Sequence, residues 1–341
     1  MGGVGRRETV ATAFKVMTWN LENLFLPGEG GGPDDEAAFD RKLENLAATI
    51  LDLAPDVLAV QEVGSEAAFG ALRAALGGRY PHARLSSRPD GRGIRVGFLS
   101  GLEIEAHEDF ADFPAGPFGS VPGLDRFGDP APETRMGRGA LRVRVRPTPD
   151  LPVDLVTAHL KSKLLSFPSA SGGARFAPED EDERAVVAGL ALLRRAAEAV
   201  TLRVRANELL SGKGRALVVL GDLNDVTDAA TTQLLQGPPG SEIGTAGFDR
   251  PDRGDDARLF NLAPLIPDAR RFSRVYRGEG ELIDHILASG ALLPGRPRRL
   301  PAVDSHVDLP APLPSVTGDP SVRRGEPRSD HAPVTATFEL A

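Results

Sequence analysis

Six short polar clusters in this 341-residue chain each stand at the end of an apolar segment. Open sheets usually build their functional sites where strands end, so the side chains of such clusters are expected to converge. Together the clusters contain the acids, amides and imidazoles that a phosphoryl-transfer site needs. In chain order they are residues 19–23 (WNLEN), 61–62 (QE), 157–163 (TAHLKSK), 221–225 (GDLND), 283–285 (IDH) and 329–334 (SDHAPV).

Each cluster taken alone also has a structural explanation. Asn20 can be a turn residue, and Asp222 and Asn224, which follow a glycine, can cap a loop. Asp284 is harder to explain in that way, because an acid within an apolar strand needs a buried partner. His331, just before the C-terminal strand, is the obvious partner. The occurrence of all six clusters at strand ends favours the functional interpretation.

The segments that must position these clusters read as short apolar strands separated by helices or by loops rich in Gly and Pro. In one of them apolar residues alternate with three arginines, a period of two that is typical of a strand with one charged face. Strands are predicted over residues 14–19, 57–60, 94–99, 141–145, 153–157, 216–220, 282–287 and 334–340. Helices are predicted over residues 39–50, 69–76 and 180–210.

Strands that alternate with few, widely spaced helices favour a mixed-sheet α/β sandwich over a doubly wound fold. Three segments, 28–35, 109–139 and 292–328, are predicted to be surface loops, and the last contains eight prolines. No linker divides the chain. We therefore expect a single domain over residues 14–341, preceded by an N-terminal tail of residues 1–13.

Composition and charge exclude several classes of protein. A chain without cysteine cannot be a disulfide scaffold, a thiolate metal protein or a cysteine-dependent enzyme. The net charge of −8 argues against a protein that coats nucleic acid, but not against an enzyme with a local basic cleft. Neither the N-terminal residues nor the longest apolar run, 185–193, suits a signal peptide or a membrane span. We expect a soluble, cytoplasmic monomer without a membrane partner.

The motifs WNLEN, QE, HLK, GDLND, IDHIL and SDHAPV, in this order and spacing, resemble the endonuclease/exonuclease/phosphatase superfamily. These are metal-dependent phosphoesterases similar to deoxyribonuclease I. Each motif alone is weak, whereas the six together are specific, and the resemblance extends from about Phe14 to the C-terminus. It implies a four-layer α/β sandwich, in which two mixed β-sheets lie face to face with helices outside.

The resemblance also implies a catalytic Mg²⁺ or Mn²⁺ and a set of ligands for it. Glu62 would be the principal carboxylate ligand, with Asn20 beside it and Asp330 near or on the metal. Glu22 matches a position where some family members place a second metal-site acid. Hard oxygen donors of this kind are the ligands that Mg²⁺ prefers.

The remaining core residues receive catalytic roles from the same resemblance. Asp222 and Asn224 would orient or deprotonate the attacking water, while His159 and His331 would hold the oxygens of the scissile phosphate. Asp284 would fix the tautomer of His331 and stabilise its imidazolium form. Either Asp222 or His331 can be the general base on this reasoning.

Three positions outside the core motifs are weaker candidates. Lys161 and Lys163, two apart in a predicted strand extension, would face one side and contact phosphate, or would be ordinary surface lysines. Arg95 precedes a strand where family members often present a polar residue to the site. His285 should point away from Asp284 and have a structural role.

The substrate that we expect is a phosphodiester of nucleic-acid or nucleotide type, DNA or RNA, because the HLKSK run is similar to one in bacterial nuclease-like members. One alternative is a small-molecule phosphatase or phosphodiesterase of inositol-phosphate or phospholipid type. The other is a non-catalytic binding protein on the same fold. A narrow pocket closed by segments 109–139 and 292–328 would favour the small-molecule enzyme, and an open basic groove would favour the nuclease.

Overall fold

The computed structural model describes residues 12–169, 171–172, 174–212, 214–238, 240–245, 257–293, 299–318 and 320–340. The α-helices within them are α1 (Glu36–Leu53), α2 (Glu66–Ala75), α3 (Glu181–Leu210) and α4 (Ala230–Gln236). The earlier strands are β1 (Thr12–Leu24), β2 (Val57–Val63), β3 (His82–Leu85), β4 (Arg95–Ser100), β5 (Ala106–Asp112), β6 (Arg135–Thr148) and β7 (Leu151–His159). The later strands are β8 (Ala216–Asp222), β9 (Leu259–Asn261), β10 (Arg274–Tyr276), β11 (Glu279–Glu281), β12 (Asp284–Ser289), β13 (Ala302–Ser305), β14 (Ser315–Val316) and β15 (Val334–Leu340).

Most of these strands form two mixed, six-stranded sheets. The first sheet has the order β13-β15-β1-β2-β4-β3, and the second has the order β5-β6-β7-β8-β12-β9. Each sheet has one parallel pair, β1 with β2 and β7 with β8, while its other neighbouring strands are antiparallel. A parallel pair needs a crossover connection, and here α1 and α3 provide it. A small third sheet contains β10, β11 and β14.

Three clusters of buried apolar side chains define the layers of the molecule. Along β2, Val57 and Ala59 face a central cluster that also contains residues of the second sheet, whereas Leu58 and Val60 face the opposite side. On that side α1 and α2 cover the first sheet, and α3 and α4 cover the outer face of the second. The four-layer sandwich expected from the sequence is therefore confirmed.

The three longer α-helices begin where the sequence provides a cap. Asp35, Ser65 and Asp180 each accept a hydrogen bond from the backbone N–H three residues later, at the starts of α1, α2 and α3. A cap of this kind stabilises a helix by about 1 kcal/mol. In the described part of the chain, no helix is both long enough and apolar enough to span a lipid bilayer.

Two of the three predicted loops contain strands. Segment 109–139 is strand at both ends, because β5 continues to Asp112 and β6 begins at Arg135, and segment 292–328 contains β13 and β14. These are short or half-exposed strands, so their apolar pattern is too weak to recognise. β1 likewise includes the last two residues of the predicted tail, whereas 28–35 is a loop as expected. Tail residues 1–11 and residues 294–298 and 319 lie outside the described residues.

Candidate active site

Three buried polar side chains form a row across the second sheet, at the edge where β7 and β8 end and β12 begins. The strand register pairs His159 with Asp222, and Asp222 with Asp284. The Nε2 atom of His159 lies 3.3 Å from Oδ2 of Asp222. Regular strand pairing thus brings together three groups that are far apart in the chain.

Gly221 allows this close pairing of β7 and β8. Its φ is +151°, and a Cβ atom at this position would lie 2.0 Å from the carbonyl oxygen of Ala158. Any side chain would therefore push the two strands apart. The glycine of the GDLND motif keeps His159 and Asp222 adjacent.

His331 reaches the row from the first sheet, just before β15. Its Nδ1 donates a hydrogen bond of 2.7 Å to Oδ2 of Asp284, and Ser273 Oγ donates a second one of 2.7 Å to the same oxygen. Burial acts to lower the pKa of His331, but the carboxylates of Asp284 and Asp330 outweigh it and raise this pKa to about 10. The ring is therefore held as an imidazolium, with Nε2 4.0 Å from Oδ2 of Asp222.

Asp222 lies between the two imidazoles and accepts two further hydrogen bonds. Asn20 Nδ2 donates to its Oδ2 at 3.0 Å, and the backbone N–H of Asn224 donates to its Oδ1 at 2.9 Å. Burial, together with the nearby carboxylate of Asp284, raises the pKa of Asp222 to about 7. A carboxyl group with such a pKa is suited to take up or release a proton near neutral pH.

His159 has surroundings opposite to those of His331. Burial and the neighbouring positive charge of Arg138 lower the pKa of His159 well below its usual value. Its Nδ1 is buried and has no hydrogen-bond partner among the described residues. The site thus combines one imidazole that stays neutral with one that stays protonated.

Several site residues stand on left-handed backbone, where a side chain is normally disfavoured. The φ angles are +50° at Glu22, +52° at Asn23, +62° at Glu62 and +55° at Asn224. The side chain of Asn224 turns to the backbone of the second sheet, where Nδ2 donates to the carbonyl oxygen of Leu160 at 3.0 Å. Its contact with the row is made by its backbone N–H.

Glu62 is the most open acid near the row. One of its oxygens, Oε2, accepts a hydrogen bond of 2.9 Å from the backbone N–H of Asn23. The other, Oε1, lies 4.0 Å from Nε2 of His159, and 16% of the side chain is exposed, against 2% for Asp222. An oxygen of Glu62 can therefore bind an ion or a solvent molecule in the cleft.

Glu22, in contrast, is closed off by Arg323. Its Oε1 accepts a hydrogen bond of 2.5 Å from Arg323 Nε, while Oε2 accepts one of 2.7 Å from Nη2 and one of 2.9 Å from the backbone N–H of Asp330. Burial and the nearby carboxylate of Asp330 raise the pKa of Glu22 to about 7. Asp330 is held more loosely, with its Oδ2 3.4 Å from Arg274 Nε.

The three cationic candidates take separate positions. We expected Lys161 and Lys163 to share one face of a strand extension. That expectation is wrong, because β7 ends at His159, before both lysines. Lys161 Nζ donates to two backbone carbonyl oxygens, at 3.2 and 3.1 Å, whereas Lys163 Nζ pairs with Asp225 at 3.3 Å. Arg95 Nη1 donates to the carbonyl oxygen of Gly64 at 2.5 Å and so supports the loop after β2.

Sequence reasoning missed several residues that shape the site. Ser273 and Arg323 lie in polar segments without periodic pattern, and Lys42 is buried in α1 although lysines are rarely buried. His285 has structural contacts, as expected from its alternation with Asp284, and its Nε2 lies 2.9 Å from the carbonyl oxygen of Asp225. No sequence signal marks the three missed residues.

Glu62, Asn20 and Asp330 offer carboxylate and amide oxygens, the donors that a hard divalent cation prefers. A separate group in the described residues, Asp222, Asp284 and His331, has donor atoms within 4.8 Å of one another. In that group the Nδ1 of His331 is already bonded to Asp284. We therefore interpret the group as a hydrogen-bonded network.

Comparisons with known proteins bear on the fold and the family of the chain. No curated protein sequence matches the chain significantly. Truncated TDP2 of Caenorhabditis elegans has 15% identity and a TM-score of 0.53, covering 96% of this chain and 98% of that chain. The human Nocturnin catalytic domain with bound sulfate anion has 13% identity and a TM-score of 0.55, covering 97% and 96%. An endonuclease/exonuclease/phosphatase from Bacteroides vulgatus has 15% identity and a TM-score of 0.54, covering 97% and 100%.

At these identities the solved structures show the shared fold alone. A family model gives the assignment, because it matches residues 17–331, which include five of the six polar clusters in full and the first three residues of the sixth. The chain belongs to the endonuclease/exonuclease/phosphatase family, whose members hydrolyse phosphoester bonds and typically use divalent metals.

Proposed function

We propose that the protein is a divalent-metal-dependent phosphodiesterase that hydrolyses phosphodiesters of nucleic acids or nucleotides, acting as a monomer with one domain over residues 14–341. The position of Asp222 carries this proposal: His159 lies 3.3 Å and His331 4.0 Å from its Oδ2. Attack on a phosphodiester needs a proton acceptor for water and hydrogen-bond donors, at least one of them cationic, for the phosphate oxygens. This group of side chains offers both.

The charges of these residues support specific roles. Asp222 Oδ2 would orient the attacking water and accept its proton, since a carboxyl with a pKa of about 7 is a competent base near neutral pH. His331 Nε2 would donate a hydrogen bond to a phosphate oxygen, and Asp284 holds the ring in the orientation for it. His159 would contact a second phosphate oxygen. Asn224 positions Asp222 through its backbone N–H.

The residues present fit one Mg²⁺ or Mn²⁺. Glu62, Asn20 and Asp330 would hold it, and an ion bound there would neutralise negative charge that develops on the phosphoryl oxygens. Asn20 is fixed for this task, because its Nδ2 donates to Asp222. Glu22 is not among the ligands that we propose, because both its oxygens accept hydrogen bonds from the guanidinium of Arg323, which already balances the carboxylate charge.

The surroundings of the site favour an extended substrate over a small phosphomonoester. Segment 109–139, expected to close a narrow pocket in a small-molecule enzyme, instead lines neighbouring cavities that also contain arginines. A chain of basic depressions suits a substrate with more than one phosphate.

A substrate panel tests the proposal. Plasmid DNA, single-stranded DNA, RNA, bis-p-nitrophenyl phosphate and p-nitrophenyl phosphate would be assayed with Mg²⁺, Mn²⁺ or EDTA. We expect hydrolysis of the polynucleotides and of the diester, dependent on the metal. Hydrolysis of the monoester alone would replace the proposal with a small-molecule phosphatase. Full turnover in excess EDTA would contradict the metal requirement.

A further inference from the structure

A cavity of about 340 Å³ lies beside the row of site residues, and we call it the lateral cavity. His159 is part of its wall, and its other charged lining residues are Arg92, Arg138, Lys161, Arg194, Asp90 and Glu198. Its volume lies in the range of small-ligand sites, about 300–1,000 Å³. Because Nε2 of His159 is 3.3 Å from Asp222, a ligand in this cavity would be next to the phosphate undergoing hydrolysis.

One acid of the cavity is already engaged by arginine. Asp90 Oδ2 accepts a hydrogen bond of 3.0 Å from Arg138 Nε and lies 3.8 Å from Arg92 Nε. It therefore balances one of these two arginines. The side chain of Arg92 is largely exposed and has no closer ion pair among the described residues.

The other acid is used to hold the backbone. Glu198 is buried, and its two oxygens accept the backbone N–H groups of Gly137 at 2.9 Å and Lys161 at 2.6 Å. Lys161 Nζ bonds only to carbonyl oxygens and forms no ion pair within 4.0 Å among the described residues. Arg194 pairs with Glu133, outside the cavity, at 2.7 Å, and its Nε lies 3.4 Å from Oε1 of Glu198. Positive charge therefore remains in excess, and burial together with the nearby Arg138 lowers the pKa of Lys161 to about 8.

Two further cavities continue from this one. Arg194 lines all three. The neighbour of about 410 Å³ adds Arg88 and Arg135 against the acids Asp90 and Glu133, and the neighbour of about 290 Å³ adds Arg126 and Lys161 against Asp125 and Glu133, so cations outnumber acids by one in each. A series of basic depressions fits a chain of phosphates better than a single isolated headgroup.

We propose that the lateral cavity binds a second phosphoryl group of the substrate, adjacent to the phosphate that is cleaved. This rests on the proposed function and names its preferred substrate: a nucleotide diester that carries a neighbouring phosphate, in DNA or RNA. Arg92 and Lys161 are the two lining cations whose charge is least neutralised by nearby acids. They would therefore provide most of the attraction for the second phosphate.

The test compares thymidine dinucleotides that have no terminal phosphate, a 5′-phosphate or a 3′-phosphate, alongside the corresponding uridine ribodinucleotides. We expect one terminal phosphate to raise kcat/KM about tenfold, the size of one charge-assisted contact. Arg92→Ala and Lys161→Ala should bring this ratio close to one. Arg146→Ala is the matched control, because Arg146 is a half-exposed arginine paired with Glu105 and is not in the lateral cavity. Comparison of the deoxyribose and ribose series shows whether DNA or RNA is the preferred substrate.

A binding measurement separates this proposal from the proposed function. In EDTA, with the full chain, the same dinucleotides should bind about tenfold more tightly when they carry the terminal phosphate, and Arg92→Ala should remove that difference. Equal affinities, or equal losses for all dinucleotides in both variants, would overturn the role of the lateral cavity. A clear binding preference in EDTA, together with no hydrolysis of any dinucleotide when Mg²⁺ or Mn²⁺ is supplied, would retain the cavity and refute the phosphodiesterase.

Discussion

The two sheets present their polar residues in different ways. In the second sheet, His159, Asp222 and Asp284 are direct cross-strand neighbours in unbroken register. In the first sheet the register shifts after Asn20 and again around Glu62, where the backbone is left-handed. Regular strand pairing holds the side chains of His159, Asp222 and Asp284 at fixed distances from one another. A bulge, in contrast, interrupts the ladder and changes the direction in which a side chain points. In the function that we propose, the groups that would handle protons lie at the regular edge, and the carboxylate that would bind the cation lies at the irregular one.

The irregular edge has a cost that its contacts offset. A left-handed non-glycine residue costs on the order of 1–3 kcal/mol. The hydrogen bond from Asn23 to Glu62 and the ion pair between Arg323 and Glu22 hold this backbone in place. Contacts between distant segments therefore stabilise the first edge, while strand pairing stabilises the second.

The largest effect is expected when the irregular edge loses its open carboxylate. Glu62→Gln keeps the volume and backbone requirements but removes the charge that holds the cation, so phosphodiesterase activity should fall at least about a thousandfold. The variant should keep its melting temperature. Glu339→Gln, at an exposed position of β15, is the control and should change neither quantity. Near-normal activity of Glu62→Gln would refute its role as the main ligand.

The next effect tests the regular edge. Asp284→Asn and His331→Ala should each lower kcat about a thousandfold, since Asn cannot stabilise the imidazolium form. Because the two residues share one hydrogen bond, the double variant should lose little more than either single variant. Steady-state kinetics of the three proteins measures this. Losses that multiply in the double variant would mean that the residues act in separate steps.

A smaller effect, on stability, is expected from the ion pair behind the irregular edge. Arg323→Met leaves the buried Glu22 without its partner and should lower the free energy of unfolding by about 3–5 kcal/mol. Arg324→Met is the matched control, because that side chain is 51% exposed and pairs with the exposed Asp34; it should cost less than about 1 kcal/mol. Urea unfolding of both variants decides the matter. Equal losses would show that the Arg323 pair does not stabilise this edge.

The smallest effect concerns His306, which packs beside β15 and bonds Thr335 Oγ1 at 2.9 Å. Burial lowers its pKa to about 4, although Asp304 opposes the shift. The unfolded chain, with an ordinary histidine pKa of about 6.5, takes up the proton first, so this group lowers stability as the pH falls from about 6.5 to about 4. His306→Gln should therefore reduce the change in the free energy of unfolding between pH 6.5 and pH 4, measured by urea unfolding at several pH values. His107→Gln, at an exposed position, is the control and should leave that change as it is. An unchanged slope in His306→Gln would contradict the assignment.

Much of the molecule was predictable because its signals are local. The alternation along β6, the caps of α1, α2 and α3 and the glycine of GDLND follow from periodicity and steric rules that act over a few residues. The pairing of Asp284 with His331 was predictable for a related reason: an acid in an apolar strand must find a partner. The short strands β10, β11 and β14 carried no comparable pattern and were missed.

The sequence by itself determined the fold class, the long helices and strands and the candidate residues of the row. These follow from the spacing of apolar residues and from the polar residues at strand ends, and both signals lie within a single helix or strand. Only the tertiary structure decided that Arg323, 301 residues away in the chain, forms an ion pair with Glu22. It also decided that Lys161 lies beyond the end of β7 and that arginines from several segments surround the lateral cavity. Loop side chains take their partners from the path of the whole chain, and that path is set by how the two sheets pack against each other.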